Sequence, residues 1–198
     1  LMSTAFYSPP ECRLHEMGQG HPECPQRLDA IQDHLLAIGL DIALDYRDSP
    51  DATMEQLARA HTAGYLAEIC ELMAQVKATG ERHGMDPDTS ICMGTHDAAF
   101  RAAGAAIAAT DDVIAGRAAN AFCAVRPPGH HATRDESMGF CFFNNVAVAA
   151  RHALDVHGLQ RVAIVDFAVH HGNGPEYIIA NADRVLMVLF FHKPQYPL

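Results

Sequence analysis

Apolar residues alternate between two periods along the chain. Leu28, Ile31, Leu35 and Ile38 recur at helical spacing, which predicts a helix over 22–38 ended by Gly39. Tyr65, Ile69, Leu72 and Val76 share one face of a second predicted helix, over 62–78. Short apolar runs predict strands over 4–8, 42–46, 120–125, 162–166 and 184–191. An alanine-rich helix over 95–115 suits close packing on a sheet, and further helices are expected from Met54, over 144–157 and over 174–180. Residues 81–94, with glycine, proline and several carboxylates, read as a long polar loop. Strands alternating with helices imply an α/β fold, a parallel sheet with helices on both faces. No repeat or linker divides the chain, so 1–198 reads as a single domain.

Composition narrows the function. With 49% hydrophobic residues the chain is globular, and its formal net charge of −10 gives no electrostatic footprint for nucleic acid or an anionic membrane. Six cysteines without a C-x-x-C pair point to free thiols and a cytoplasmic setting. The first residues have no basic segment leading into an apolar run, and the longest apolar stretch, over 102–109, is far too short to span a bilayer. The sequence stops at Tyr196-Pro197-Leu198, directly after an apolar strand, so it reads as a partial domain truncated on its C-terminal side. An exposed sheet edge there offers a route to a homo-oligomer.

Two histidine pairs carry the candidate chemistry. His130-His131 and His170-His171 both follow predicted parallel strands, where open α/β sheets place their sites, and Asp166 could accept a hydrogen bond from an imidazole. Four stretches then resemble the histone deacetylase superfamily, in its class II and bacterial amidohydrolase branch with the acetylpolyamine amidohydrolases. They are His21 to Leu28, Arg126 to His131, Gly139 to Asn145, and Val165 to Gly174, in family order.

The resemblance implies the arginase/deacetylase fold and a zinc-dependent deacetylase acting on acetyl-lysine or acetylated polyamine. It implies that His130 and His131 are the tandem catalytic histidines, that Asp166 orients His130 and Asn173 supports His131, and that Gly139 and Phe140 are the floor and wall of an acyl-lysine tunnel. Asp86 or Asp88 would sit at the rim, and His170 would be a zinc ligand. In three respects the chain departs from the pattern. Ala168 stands where the family has a zinc-binding Asp, Leu189 stands where a Ser helps to hold a structural potassium ion, and the sequence stops before the third ligand and the catalytic Tyr. Since a catalytic zinc takes three protein ligands, the expectation is a deacetylase with impaired or absent activity. The alternatives are a binding module that recognises acyl-lysine without cleaving it, or an inert folded fragment.

Overall fold

A computed structural model describes residues 3–179, 183–192 and 196–197. Strand β1 (Thr4–Tyr7) lies between β2 (Leu44–Arg47) and β5 (Asn120–Cys123), all parallel, with Phe6 in register with both Tyr46 and Phe122. Successive side chains point to opposite faces. Ala5 and Tyr7 pack on Ala105 and Ala109 of α4 (Thr95–Ile114). Phe6 groups instead with Leu28, Ile31 and Leu35 of α1 (Gln26–Ala37). Helices therefore cover both faces here, and the small side chains of α4 let it approach the strands closely. The Tyr7 hydroxyl, buried beneath α4, donates to Asp112, and burial pushes its pKa up to about 12.

A second parallel ladder joins β6 (Val162–Asp166) to β7 (Val185–Leu189), and it does not pair with the first. Helices α5 (Asn145–Asp155) and α6 (Asn173–Ile179) cover one face through Ala150, Ile178 and Ile179, whereas Val165 and Leu186 on the other face stay exposed. An apolar groove floored by α4 and α5 runs between Ala121 of β5 and Ala163 of β6. The large core cluster lies elsewhere. There α3 (Ala63–Thr79) and the short α2 (Met54–Leu57) bring Leu57, Leu66, Ile69 and Met73 against Phe142 and Phe143. None of the described helices is long and apolar enough to cross a membrane.

The sequence pattern placed some boundaries differently. Helix α1 starts at Gln26 rather than residue 22, because Pro22 and Glu23 are drawn to the wall of a cavity instead. The strand expected from Ile42 begins at Leu44. Asp41–Ala43 form a 3-10 turn that leaves Ile42 exposed, and the pairing with β1 begins at Thr4 and Leu44. The polar loop contains a short antiparallel pair, β3 (His83–Gly84) and β4 (Ser90–Ile91). The Asp86 carboxylate closes its turn by accepting from the Asp88 and Thr89 amides. Ala180, expected to end α6, lies outside the described residues.

Candidate active site

After β5 the chain turns through Arg126-Pro127-Pro128-Gly129 and delivers His130 and His131 beside the end of β6. Arg126 anchors this turn. It is fully buried, donates two 2.6 Å hydrogen bonds to the Glu23 carboxylate, and donates a third, at 2.8 Å, to the Cys12 carbonyl. A guanidinium is tolerated in such a place only with this fork-on-carboxylate satisfaction. Gly129 is needed just beyond it, since an added Cβ would lie 2.6 Å from the Asn145 amide nitrogen.

Each histidine is held through Nδ1. His130 Nδ1 lies 3.0 Å from Asp166 Oδ2, and the other oxygen of that carboxylate accepts from the Ala168 amide at 3.0 Å. The hydrogen bond to His130 holds the Asp166 carboxyl below the usual carboxylate range, so it accepts and Nδ1 donates. His131 Nδ1 lies 2.8 Å from Asn173 Oδ1, whose amide NH2 group is turned to the His131 carbonyl and the Met138 sulfur. That arrangement places the Nδ1 proton of His131 on the amide oxygen. In the neutral ring, Nε2 is then the nitrogen with a lone pair, on both histidines. The two rings are 3.9 Å apart. Burial, with His130 alongside, lowers the His131 pKa to about 4, against the opposing pull of Asn173. Gly172 is what lets the α6 segment close on this pair, because a Cβ there would lie 2.1 Å from Asp166 Oδ2.

A cavity of about 660 Å³ opens above the histidines, lined by His130, His131, His170, Gly139 and Phe140. Gly139 and Phe140 both have positive φ, 55° and 71°. For Phe140 that conformation costs on the order of 1 kcal/mol and turns the ring into the wall, where its amide donates to Thr89 Oγ1 at 2.9 Å. At Gly139 a Cβ would lie 2.5 Å from His131 Cδ2, so only glycine leaves the floor open. Tyr196 also lines the cavity, edge-on to His131 at 4.9 Å. The sequence reading did not select Tyr196; an aromatic followed by proline after the last strand was its only signal. Asp86 and Asp88 both line the cavity.

The resemblance implies zinc ligands at His170 and at the position of Ala168. His170 lines the cavity, but Ala168 has no donor atom, and among the described residues the three-donor cluster able to hold a metal is Asp111, His152 and His157, on other elements. His171 turns away and pairs with Glu176 at 2.7 Å. Leu189 lies opposite Asp166 in the β6–β7 register and carries a hydrocarbon side chain.

Comparison with known proteins shows the family and the fold. Residues 21–198 match the model of the histone deacetylase domain. The chain is 42% identical over 171 residues to a histone deacetylase-like amidohydrolase of Pseudomonas aeruginosa, covering 85% of this chain and 43% of that protein. It is 39% identical over 190 residues to the polyamine deacetylase HDAC10 of Rattus norvegicus, covering 91% of this chain and 30% of that one. The crystal structure of the HDA15 HD domain superposes with a TM-score of 0.90 at 34% identity, over 100% of this chain and 57% of that chain. The chain thus spans less than half the length of these two curated relatives.

Proposed function

The chain belongs to the histone deacetylase family, and from that premise we propose that its cavity binds the acylated amine of an acetyl-lysine peptide or acetylated polyamine and presents the amide to His130 and His131. The observation that carries this reading is the paired tethering of two adjacent imidazoles, one to Asp166 and one to Asn173, at the floor of a cavity walled by Phe140. Amide hydrolysis needs a group to take a proton from the attacking water and a group to give one to the departing amine. His131, kept neutral by burial, suits the first role. A positive charge formed on His130 would have the Asp166 carboxylate 3.0 Å away. The apolar wall of Phe140 and Tyr196 suits the hydrocarbon stem of an acyl-lysine.

With Ala168 in place of a ligand, we assign this chain on its own weak or no hydrolysis. The second reading, an acyl-lysine-binding module that does not cleave, is favoured by Ala168 together with Leu189. A charge of −10 disfavours nucleic acid as a partner, and the free cysteines fit a reducing cytoplasm. The open edges of the two ladders supply a route to a homo-oligomer.

The test is hydrolysis of a fluorogenic acetyl-lysine peptide by the purified chain and by Ala168→Asp, with added zinc and with a chelator, beside direct binding of the uncleaved peptide. Peptide binding without turnover in the native chain, and chelator-sensitive turnover gained by Ala168→Asp, would support the assignment. A folded, monodisperse chain that neither binds nor cleaves would refute it.

A further inference from the structure

On the side of the molecule formed by the ends of α4 and α5, three side chains converge without any part in the cavity. His152 Nε2 and His157 Nε2 lie 2.7 Å and 2.5 Å from the same oxygen of Asp111, and the three ligand atoms all lie within 4.8 Å of one another. From this convergence we infer that Asp111, His152 and His157 form a second, independent binding site for a divalent transition ion such as Zn2+ or Co2+.

The donor set is two imidazole nitrogens and one carboxylate oxygen, the borderline-soft combination that such ions take with an open fourth position. The spacing is close to what coordination needs. Tetrahedral bonds of ordinary length separate neighbouring donor atoms by roughly 3.3 Å, so each histidine has to back away from Asp111 by under about 1 Å. The donors come from three places: the last turns of α4, the last turns of α5, and the segment just after it. An ion there would pin α4 to α5. His152 is buried and positioned, while Asp111 and His157 keep 36% and 24% of their side chains exposed, which gives the ion a way in and its fourth ligand a water. Burial works against the charge on Asp111, but the hydrogen bonds from His157 and His152 outweigh it and hold the carboxyl below the ordinary value, ready to ligate. Neighbouring Asp112 is already taken by Tyr7, Arg47 and Arg117 and does not compete for the ion.

One neighbour opposes the ion. Arg59 donates to His152 Nδ1 at 3.3 Å, which keeps the imidazole proton on Nε2 in the metal-free form. Binding through Nε2 moves that proton to Nδ1, so Arg59 has to swing away, toward the Glu55 carboxylate with which it already pairs at 3.0 Å. Arg59 therefore tunes the affinity, and removing its charge while keeping its stem strengthens binding.

The experiment is a Co2+ titration of the intact chain at pH 7.5, followed by visible ligand-field absorption, for the native chain and for His157→Gln, His170→Ala and Arg59→Met. The expected result is one equivalent with nitrogen and oxygen ligation, retained in His170→Ala and weakened about tenfold or more in His157→Gln. Arg59→Met is expected to bind severalfold more tightly. That readout does not depend on how well His157→Gln folds, and a structural hydrogen-bond cluster would not produce it. No bound Co2+, an equivalent that survives His157→Gln, one that is lost with His170→Ala, or an Arg59→Met no tighter than the native chain would each overturn the inference.

Discussion

His15 and His61 are buried with no carboxylate free to neutralise a charge on them, and this makes the protein sensitive to mild acid. His15 is fully buried. Burial, then the nearby Arg126 charge, lowers its pKa to about 3, and the one carboxylate in reach, Glu23, is already committed to Arg126. His61, whose Nε2 accepts from the Asn144 amide at 2.9 Å, is lowered to about 4 by burial. The unfolded chain takes up protons at these imidazoles near pH 6.5 while the folded chain does not, so stability is present above that pH and is lost as pH falls toward 4. At pH 5.5 each such histidine costs about 1.4 kcal/mol, so the pair costs about 3 kcal/mol and His131, held the same way, brings the total to about 4 kcal/mol. Carboxylates with lowered values titrate below this window and leave it undisturbed. Urea unfolding followed by far-ultraviolet circular dichroism at pH 7.5 and 5.5 measures the loss directly. His61→Gln, which still offers an acceptor to Asn144, should shrink it by about 1.4 kcal/mol. A loss under about 1 kcal/mol, or an equal loss in His61→Gln, would show that these rings are not held neutral.

Four further outcomes follow from particular surroundings. Gly104→Ala, a change that helix propensity alone would favour, should destabilise by about 3 kcal/mol or more, because the new Cβ would lie 1.8 Å from the Pro50 carbonyl oxygen. Gly64→Ala in α3, with nothing within 4 Å, should stabilise by roughly 0.5–1 kcal/mol, and thermal melts of the two decide. Glu23→Gln leaves Arg126 buried with an uncompensated charge and should cost about 3–5 kcal/mol in the same urea assay; a cost under about 1 kcal/mol would mean that water reaches the pair. Phe140→Gly relieves a left-handed backbone but removes a cavity wall, so the urea midpoint should change little while affinity for an acetyl-lysine peptide, read by fluorescence anisotropy, falls about tenfold.

What could be read along the chain was whatever short-range pattern determines. The apolar run over 162–166 is β6 residue for residue, and the helix expected from Asn144 is α5, with the Asn144 side chain capping it by accepting from the Ala147 amide at 3.0 Å. The histidine pairs and Asp166 stood out through their places at predicted strand ends, whereas Asn173 was singled out only through the family resemblance. Contacts across long separations were not legible. Nothing local says that Arg126 will find Glu23, that Thr89 will accept from Phe140, or that β5 and β6 will stand apart instead of pairing. The turn before β2 was misread because Ile42 is apolar and yet exposed, so hydrophobicity pointed to a pairing that the register does not reach.

The central place of β1 governs the order in which the molecule can assemble. Its second neighbour pairs Thr4 with Asn120, so at ribosomal speeds one side of the strand waits on the order of ten seconds for β5 to be made. Until then Phe6 lacks its stacked partner Phe122, and the buried turn through Arg126 has nothing to lead out of. His130 and His131 emerge just after that moment, while the residues that orient them, Asp166 and Asn173, come later still. The geometry of the candidate site is therefore acquired only after β1 has both of its neighbours. A strand-pairing mutation near residue 5 would register first as slow appearance of the binding cavity, before any loss in its final affinity.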